Sequence, residues 1–541
     1  MDQTTYSDNE VARIIEEKFV PIRVDRDQRP DIDKRYSMGG WPSTAFLTPD
    51  GEVLTGGTYI PPQQMMILLD HVSSVYQKEK GSLKARIKEL EKAKTETPHI
   101  EYGLDHEDFQ SVIDSLTLQI ASRFDSSHGG FGDAPKFPHS EALRLALLQH
   151  HLHGHKAALN IVKKTLTAMR AGGIYDKEEG GFFRYSTTRD WSIPHYEKMC
   201  EDNAKLLINY LEAYQFTGEE AFKDTAKGIL GYVTAKLSDQ KNGGFFGSQD
   251  ADEVYYNLSL PERQNRVAPR IDQTLFVNWN AMMVSSYLFA SAVLENRKYQ
   301  DFALRTVELL LETAFSPKNG MKHYIIEGKS RLSGLLTDQV HMVKCLMDSY
   351  QVTSDRKFLD NAEALAEFLL AKFWDNNGGF YDRSEESGSF GALKLFDKPL
   401  EENSVAADAF LRLYHLTGKQ KYLEAAKKTL EFFVSNYQRY GIMGTVYGLA
   451  VELHLHPMQI HIVGSRKEEV TRRFLKESLK AYYPLKVVES IGPEHNQDRL
   501  KCLGYPVTDV LTTYVCFGGT CNSVEDPGKI AKLVRGKTDG N

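Results

Sequence analysis

A polar turn ending in Gly-Gly or Asn-Gly, in most cases followed by an aromatic residue, recurs five times along this chain. It stands at 126–137 (SSHGGFGDAPKF), 177–186 (KEEGGFFRYS), 240–252 (QKNGGFFGSQDAD), 316–324 (SPKNGMKHY) and 375–384 (DNNGGFYDRS). The spacing, roughly 50 to 75 residues, is the length of two helices plus their connections. Between these marks lie about twelve amphipathic segments with apolar residues at i, i+3, i+4 and i+7, among them 203–218, 219–237, 280–295 and 298–315. No other feature restricts the fold as strongly.

Within several pairs the first helix is apolar nearly all round and ends at a Thr-Gly turn, while the second is charged on one face. An inner helix buried on all sides and an outer helix with one wet face predict a closed toroid. Six such hairpins make an (α/α)6 barrel, so the chain is expected to be mainly α. In that arrangement the glycine-rich loops cross the mouth, where the backbone turns tightly, and the side chains beside them point into the funnel.

Past Pro457 the pattern changes. MQIHIVG (458–464), LKVVES (485–490) and TTYVCF (512–517) read as strands and 467–483 as a helix, a small α/β piece. Near the start, 19–27 reads as a strand, and YSMGGWPSTAFLTPDGE (36–52) as a bend at Pro42 followed by a hairpin. The expected organisation is an N-terminal α/β domain at 1–75, a helical linker at 76–104, the barrel at 105–456 and the C-terminal piece at 457–541.

The net charge is −7 with both signs interspersed, which leaves no electrostatic footprint for nucleic acid or an anionic membrane. No run approaches the ~18 apolar residues of a membrane span. The polar start MDQTTYSDNE has no signal-peptide core, so a cytoplasmic location is expected. His454, His456 and His461 are too few for a metal site, and no P-loop, dinucleotide fingerprint or nucleophile elbow is present; no metal or cofactor is expected. Cys516 and Cys521 match neither a Cys-x-x-Cys pair nor a zinc ribbon and read as free thiols.

The densest polar block is RYSTTRDWSIPHYEKMCEDN, Arg184 to Asn203. His195 and Asp202, seven residues apart, would share a helix face, and with Glu197 they suit general acid–base work on a sugar or polyol. The structural alternative is that Glu197 and Asp202 charge a helix N-terminus and His195 packs. Asp250 and Asp252 could form an acid and a base or nucleophile, or cap a turn. Asp338 with Gln339, and Glu401 with Asn403, open later inner helices in the same way; each alone would be an ordinary cap, and their shared placement around one rim makes them candidate ligand contacts. Arg184, Tyr185, Trp191, Asn203, Trp279 and Asn280 are candidate ligand contacts. Phe131, Phe183 and Tyr381 sit beside the same loops, as stacking platforms or as core plugs.

The segments EVARIIEEKFVPIRVDRDQRPDID, GGWPSTAFLTPDGEVLTGGTYIPP, GGFGDAPKFP, RYSTTRDWSIPHYEKMCEDNA, QDAD, NWNAMM, ENSVAA and YVCFGGTC closely resemble the spermatogenesis-associated protein 20 family. The resemblance implies a thioredoxin-like domain fused to a six-hairpin-glycosidase-like barrel, with Pro42 at the cis-proline bend. The family's Cys-x-Trp-Cys-His segment has no counterpart here, so a redox-inactive thioredoxin-like remnant is expected, with Trp41 and Pro42 as a brace or a protein-docking surface.

Barrels of this kind host glycoside hydrolysis and sugar epimerisation or isomerisation, so a small sugar-like ligand in the funnel is expected. Carboxylates pairing (Asp250 or Asp252 with Asp202) would favour hydrolysis, and a His195–His341 pair would favour proton shuttling. The rivals are a non-catalytic scaffold and a thiol oxidoreductase using Cys516 and Cys521.

Overall fold

The computed structural model describes residues 1–95, 106–384, 390–492, 497–506 and 511–536. Of the expected linker at 76–104, residues 96–104 lie outside them. The chain falls into two compact units, one of residues 1–102 with 385–397, the other of 103–384 with 398–541.

In the first unit, helices α1 (Asn9–Lys18) and α2 (Pro30–Tyr36) precede a hairpin of β1 (Thr44–Leu47) and β2 (Val53–Gly57), and α3 (Pro62–Thr95) follows. Asp8 caps α1 by accepting from the Glu10 and Val11 amides. Val11, Ile14, Phe46, Ile60, Met65, Leu69 and Val72 form its core. The Trp41–Pro42 peptide is cis, at the bend before the hairpin. The strand expected at 19–27 is corrected: the segment pairs with no strand among the described residues, and Val20 and Ile22 are 86% and 78% exposed. Its alternating apolar residues have no sheet to lie on. Residues 390–397 complete this unit, with Arg35 donating to the carbonyls of Ala392 and Leu395.

The second unit holds the six hairpins. Outer helices α4 (His106–Arg123), α6 (Lys156–Ala171), α8 (Glu220–Lys236), α12 (Arg297–Ala314), α14 (Arg356–Lys372) and α16 (Gln420–Phe433) alternate with inner ones. The inner helices are α5 (Ser140–His153), α7 (Cys200–Thr217), α11 (Val277–Leu294), α13 (Leu336–Thr353), α15 (Leu400–Thr417) and α17 (Thr445–Leu455). Each inner helix packs on the next, and α17 closes the ring on α5. Two one-turn helices, α9 (Glu253–Tyr256) and α10 (Leu260–Arg263), lie in the third mouth loop.

The long loops are stitched into a collar. Lys136 pairs with Ser186, β3 (Lys198–Met199) with β4 (Ser248–Gln249), and β4 with β5 (Ile271–Asp272). β6 (Leu275–Phe276) pairs with β8 (Gly320–Ile326), which also pairs with β7 (Phe315–Ser316) and β9 (Lys329–Ser333), and Leu335 meets Arg383.

One device anchors this collar four times. The fourth residue of α7, α11, α13 and α15 is Asn203, Asn280, Gln339 or Asn403. The Asn203 amide accepts from Phe182 N at 2.8 Å, and donates to Phe182 O at 3.0 Å and Met199 O at 2.9 Å. Asn280 does the same with Phe245 and the Phe276 carbonyl, Gln339 with Met321 and Leu335, and Asn403 with Phe380 and Pro399. The side-chain amide thus replaces a strand partner for the residue after each Gly-Gly or Asn-Gly turn, whose peptide groups burial would otherwise leave unpaired, and ties it to the helix-cap carbonyl.

Two of these staples carry a lysine five residues earlier. Lys198 Nζ lies 2.7 Å from Asp176 and 2.8 Å from Gly180 O; Lys398 Nζ lies 2.6 Å from both Asp375 and Gly378 O. Each ammonium also sits 4.0 Å above a ring, of Tyr232 or Phe432. Gly180 and Gly181 both have positive φ, and a Cβ there would collide with the Gly228 carbonyl or the Tyr232 ring.

Beyond the barrel, β10 (Met458–Val463), α18 (Glu469–Lys480), β11 (Lys486–Ile491), α19 (Gln497–Cys502), β12 (Thr512–Phe517) and β13 (Thr520–Val524) form a sheet in the order β11-β10-β12-β13, followed by α20 (Ile530–Gly536). β10 and β11 are parallel, the others antiparallel. The free-thiol expectation is corrected: Cys516 and Cys521, opposite each other on β12 and β13, form a disulfide. No helix among the described residues is long and apolar enough to cross a membrane.

Replacing Asn203 by Ala leaves the Phe182 amide and carbonyl without partners, at a cost of about 2–4 kcal/mol. Calorimetry is expected to show a clearly lowered Tm; a purely ligand-binding Asn203 would leave it unchanged.

Candidate functional site

The inner helices are not apolar all round. Glu141 and Arg144 on α5, Lys205 and Glu212 on α7, His341, Lys344 and Asp348 on α13, and Asp408 and Arg412 on α15 recur at spacings of three, four or seven, which puts each set on one face. These faces meet on the barrel axis and line a cavity of about 270 Å3. Met282, Leu288 and Phe289 of α11 and Leu449 of α17 supply its apolar wall.

The far end is closed by the connection between α18 and β11. Ala481, Tyr482, Tyr483, Pro484 and Lys486 form the floor. Arg412 fastens it to the wall, donating to the Pro484 and Lys486 carbonyls at 2.8 and 2.9 Å. Gln215 donates to Lys480 O at 2.6 Å, and Val488 N donates to Gln351 at 2.8 Å. Polar ends of inner helices are thus capped by C-terminal backbone.

The axial charges are paired in layers. Nearest the mouth, Lys205 Nζ lies 3.1 Å from Glu401 and 3.4 Å from Glu141. Below it Arg144 meets Glu212 at 2.8 Å, and Asp408 accepts from Arg412 at 2.9 Å and Lys344 at 3.0 Å. Burial opposes ionisation of Asp408, yet Arg412 and Lys344 hold it far below the usual carboxylate range. Asp348 goes the other way: burial raises it although Lys344 and Arg412 pull it down. His341 is pushed to about 3, first by burial and then by the Lys205 cation, and is a neutral imidazole. Lys486 falls to about 7, through burial and then Arg412.

At the lip, Arg184, His195 and Glu197 form one cluster. Glu197 lies 3.4 Å from Arg184 Nη1 and 3.5 Å from His195 Nε2, and the His195 ring stacks on Tyr185 with centroids 5.0 Å apart. The His195 hydrogen bond, outweighing burial, keeps Glu197 below its ordinary value, helped by Arg184. Asp202, in the first turn of α7, behaves oppositely. Its Oδ2 is sealed from water with no hydrogen-bond partner among the described residues, and burial, then the neighbouring Glu201 charge, raises the carboxyl to about 7. Arg184 and Lys205 oppose that rise, and Glu197 adds to it. Two carboxyls whose surroundings drive them apart therefore interact beside the start of α7, next to the cavity-lining Lys205 though not themselves among the residues that line the cavity.

Other candidates go to the scaffold. Asn203, Asn280, Gln339 and Asn403 spend their amides on the collar, which corrects their reading as ligand contacts. Asp252 accepts from the Tyr255 amide at 2.9 Å as the cap of α9. Asp338 is fully buried against His323 Nδ1 at 2.9 Å, and burial raises its carboxyl despite that partner. Trp191 is wholly buried, its indole donating to His128 O at 3.1 Å, and Trp279 packs on Phe276. Phe131 and Phe183 are core plugs too. A residue beside a tight loop faces whichever side holds the core, and here that is the packed seam between the helix layers. Asp250 is exposed, its carboxyl raised by partial burial with Glu197 and Asp272 adding. His195 belongs to the lip cluster and His341 to the cavity wall. The axial residues Glu141, Arg144, Lys205, Glu212, Lys344, Asp348, Asp408 and Arg412 were not anticipated; charges at helical spacing on otherwise apolar helices were their signal.

Residues 1–94 match the family described as "Thioredox_DsbH: Protein of unknown function, DUF255". Over 99% of its length the chain is 26% identical to spermatogenesis-associated protein 20 of Homo sapiens, covering 85% of that protein. The resemblance to that protein is thereby shown along the chain. The rat spermatogenesis-associated protein 20 is likewise 26% identical over the same share, and an uncharacterised Caenorhabditis elegans protein is 26% identical, with 79% of this chain and 75% of that one covered. Among solved structures, cellobiose 2-epimerase from Spirochaeta thermophila matches with a TM-score of 0.50 at 15% identity, over 65% of this chain and 99% of that one. At that identity the likeness to the epimerase concerns the fold, the (α/α)6 barrel.

Asp202 binds a proton in the folded state up to about pH 7, whereas its ordinary value is 3.8. Between these values the folded state holds more protons than the unfolded one, so this group's contribution to stability falls as pH rises through the window. Asp202→Asn is therefore expected to leave Tm nearly unchanged at pH 4 and to raise it at pH 8 by about 2–4 °C, as 1 kcal/mol does in a large domain. Thermal melts across pH check this.

Proposed function

We propose that the funnel binds a small carbohydrate-type ligand and that its chemistry is acid–base cleavage of a glycosidic bond. The observation carrying this reading is the opposed pair at the start of α7: Asp202 with a buried oxygen, unbonded among the described residues, and a raised carboxyl, and Glu197 held ionised by His195 at 3.5 Å and Arg184 at 3.4 Å. Asp202 donates its proton to the glycosidic oxygen as the C–O bond breaks. Glu197, positioned by Arg184 and His195, takes a proton from the water that attacks the anomeric carbon. Solvent then returns a proton to Asp202 and removes one from Glu197.

The paired charges of the axis suit ligand hydroxyl groups, which both donate and accept. The floor makes the cavity blind, and its size sits below the ~300–1,000 Å3 of drug-sized sites, which favours a single sugar ring over a chain. Proton shuttling by His341 at a sugar carbon is less well supported, because an imidazole held near 3 is a weak base at neutral pH.

The test is a panel of monosaccharides, disaccharides and aryl glycosides, followed by calorimetry for binding and chromatography for release. Asp202→Asn and Glu197→Gln are expected to keep the affinity within a few-fold and to lose about 10²–10⁴ in kcat. Wild-type kcat is expected to fall as pH rises past about 7, where Asp202 loses its proton. If no member of the panel binds or is cleaved, or both variants turn over at the wild-type rate, the assignment is wrong.

For the first unit we favour a docking role. Trp41, beside cis-Pro42, is 56% exposed, with the Arg26 guanidinium 4.1 Å over its ring and its indole bonded to Asp33 at 2.8 Å. A held, exposed indole is the kind of anchor that protein interfaces use.

A further inference from the structure

Four features of the C-terminal sheet converge on one sulfur pair. Cys516 and Cys521 are bridged across the β12–β13 hairpin, whose two-residue turn, Gly518-Gly519, has positive φ at both positions. β13 is the edge strand and Cys521 is exposed on it, while Cys516 is partly buried. The Tyr505 hydroxyl lies 3.5 Å from Cys516 Sγ, and His461 Nδ1 lies 2.9 Å from that hydroxyl. Tyr505 itself is clamped flat on Tyr514, with centroids 4.1 Å apart.

The bridge is poorly placed as a staple. It closes a loop with a sequence separation of only 5, and two glycines already make that turn. A disulfide restrains the unfolded chain least when its loop is this short. The polar relay beside it, by contrast, is costly to keep in a small core beside Val463, Ile491 and Leu500. A neutral His461 donating from Nδ1 to the Tyr505 oxygen leaves the Tyr505 proton to be given to Cys516, the sulfur farther from solvent.

We propose that Cys516–Cys521 is a reversible thiol–disulfide exchange site, attacked at Cys521 by a dithiol, with Tyr505 stabilising Cys516 as the leaving thiolate. A thiolate of the dithiol bonds to Cys521 Sγ while the Sγ–Sγ bond breaks and its electron pair goes to Cys516, which accepts the Tyr505 hydrogen bond. The second thiolate of the dithiol then attacks the first, forming its own disulfide and expelling Cys521. The dithiol is oxidised by two electrons, and its two protons end on Cys516 and Cys521. Exchange is faster when the departing thiolate is stabilised and the attacked sulfur is accessible, the two conditions met here.

The experiment uses the full chain carrying Cys502→Ser, since Cys502 is an exposed third thiol while Cys200 and Cys345 are buried. Dithiothreitol is added under native conditions, samples are quenched with iodoacetamide, and the labelled peptides are counted by mass. The expected result is labelling of both Cys516 and Cys521 with unchanged circular dichroism and Tm, reversed by oxidised glutathione. Tyr505→Phe is expected to slow reduction about tenfold, with the fold kept and Tm lowered only by the bond that His461 loses. With Cys516→Ser, oxidised glutathione is expected to leave one glutathione on Cys521, a readout that does not depend on the tyrosine variant folding. The proposal is overturned if the purified protein has no bridge, if reduction requires guanidinium, if reduction lowers Tm sharply, or if Cys521 in the Cys516→Ser variant takes up no glutathione. Equal reduction rates for folded Tyr505→Phe and the parent would overturn the role of Tyr505.

Discussion

A closed ring of inner helices can exist only if the long segments that cross its mouth bury their backbones without leaving peptide groups unpaired. Four side-chain amides meet that demand. Asn203, Asn280, Gln339 and Asn403 each accept one amide hydrogen and donate to two carbonyls, doing for the residue after a Gly-Gly or Asn-Gly turn what a neighbouring strand would do. A buried peptide group left alone costs about 1–3 kcal/mol. Without these contacts the collar would have to rise into solvent, and the inner helices would lose their starting points.

The staples explain where chemistry is free to reside. The loops that look rich in polar side chains are largely committed to holding the barrel, including Asp176 with Lys198 and Asp375 with Lys398. What remains is the inward stripe of the inner helices and a short stretch of lip. There the low dielectric makes each charge depend on its partner: Asp408 stays ionised between Arg412 and Lys344, while Asp202, lacking a bonded cation, keeps a proton. The same desolvation that makes isolated charges expensive produces the opposed carboxyls beside the start of α7.

The C-terminal sheet gives the funnel a bottom. Arg412 belongs at once to an axial ion pair and to the floor, because its guanidinium reaches both Asp408 and two backbone carbonyls. One side chain therefore links the charges inside the cavity to the appended sheet, alongside the Gln215 and Gln351 ties. On the sheet's far edge the disulfide hairpin lies outside the funnel's lining and has its own polar relay.

The slow repeat of glycine pairs and the 3.6-residue periodicity of the segments between them determined the six hairpins, because helix burial is read by local spacing. The hairpin after Pro42 and the C-terminal strands were legible from the same kind of local pattern, while the cis peptide bond at Pro42 was expected only from the family resemblance. Asp202, Glu197 and His195 stood out as a polar block. What local spacing could not decide is which way a polar side chain faces once two helix layers pack. Asn203 and Asp202 are neighbours in sequence, yet one is a fully bonded staple and the other holds an unpartnered oxygen. Nor could spacing pair Lys205 with Glu401, or Cys516 with Tyr505, across stretches of chain that only folding brings together. The periodicity of the sequence determined the barrel; the tertiary structure decided which of its polar groups hold it closed and which face the cavity.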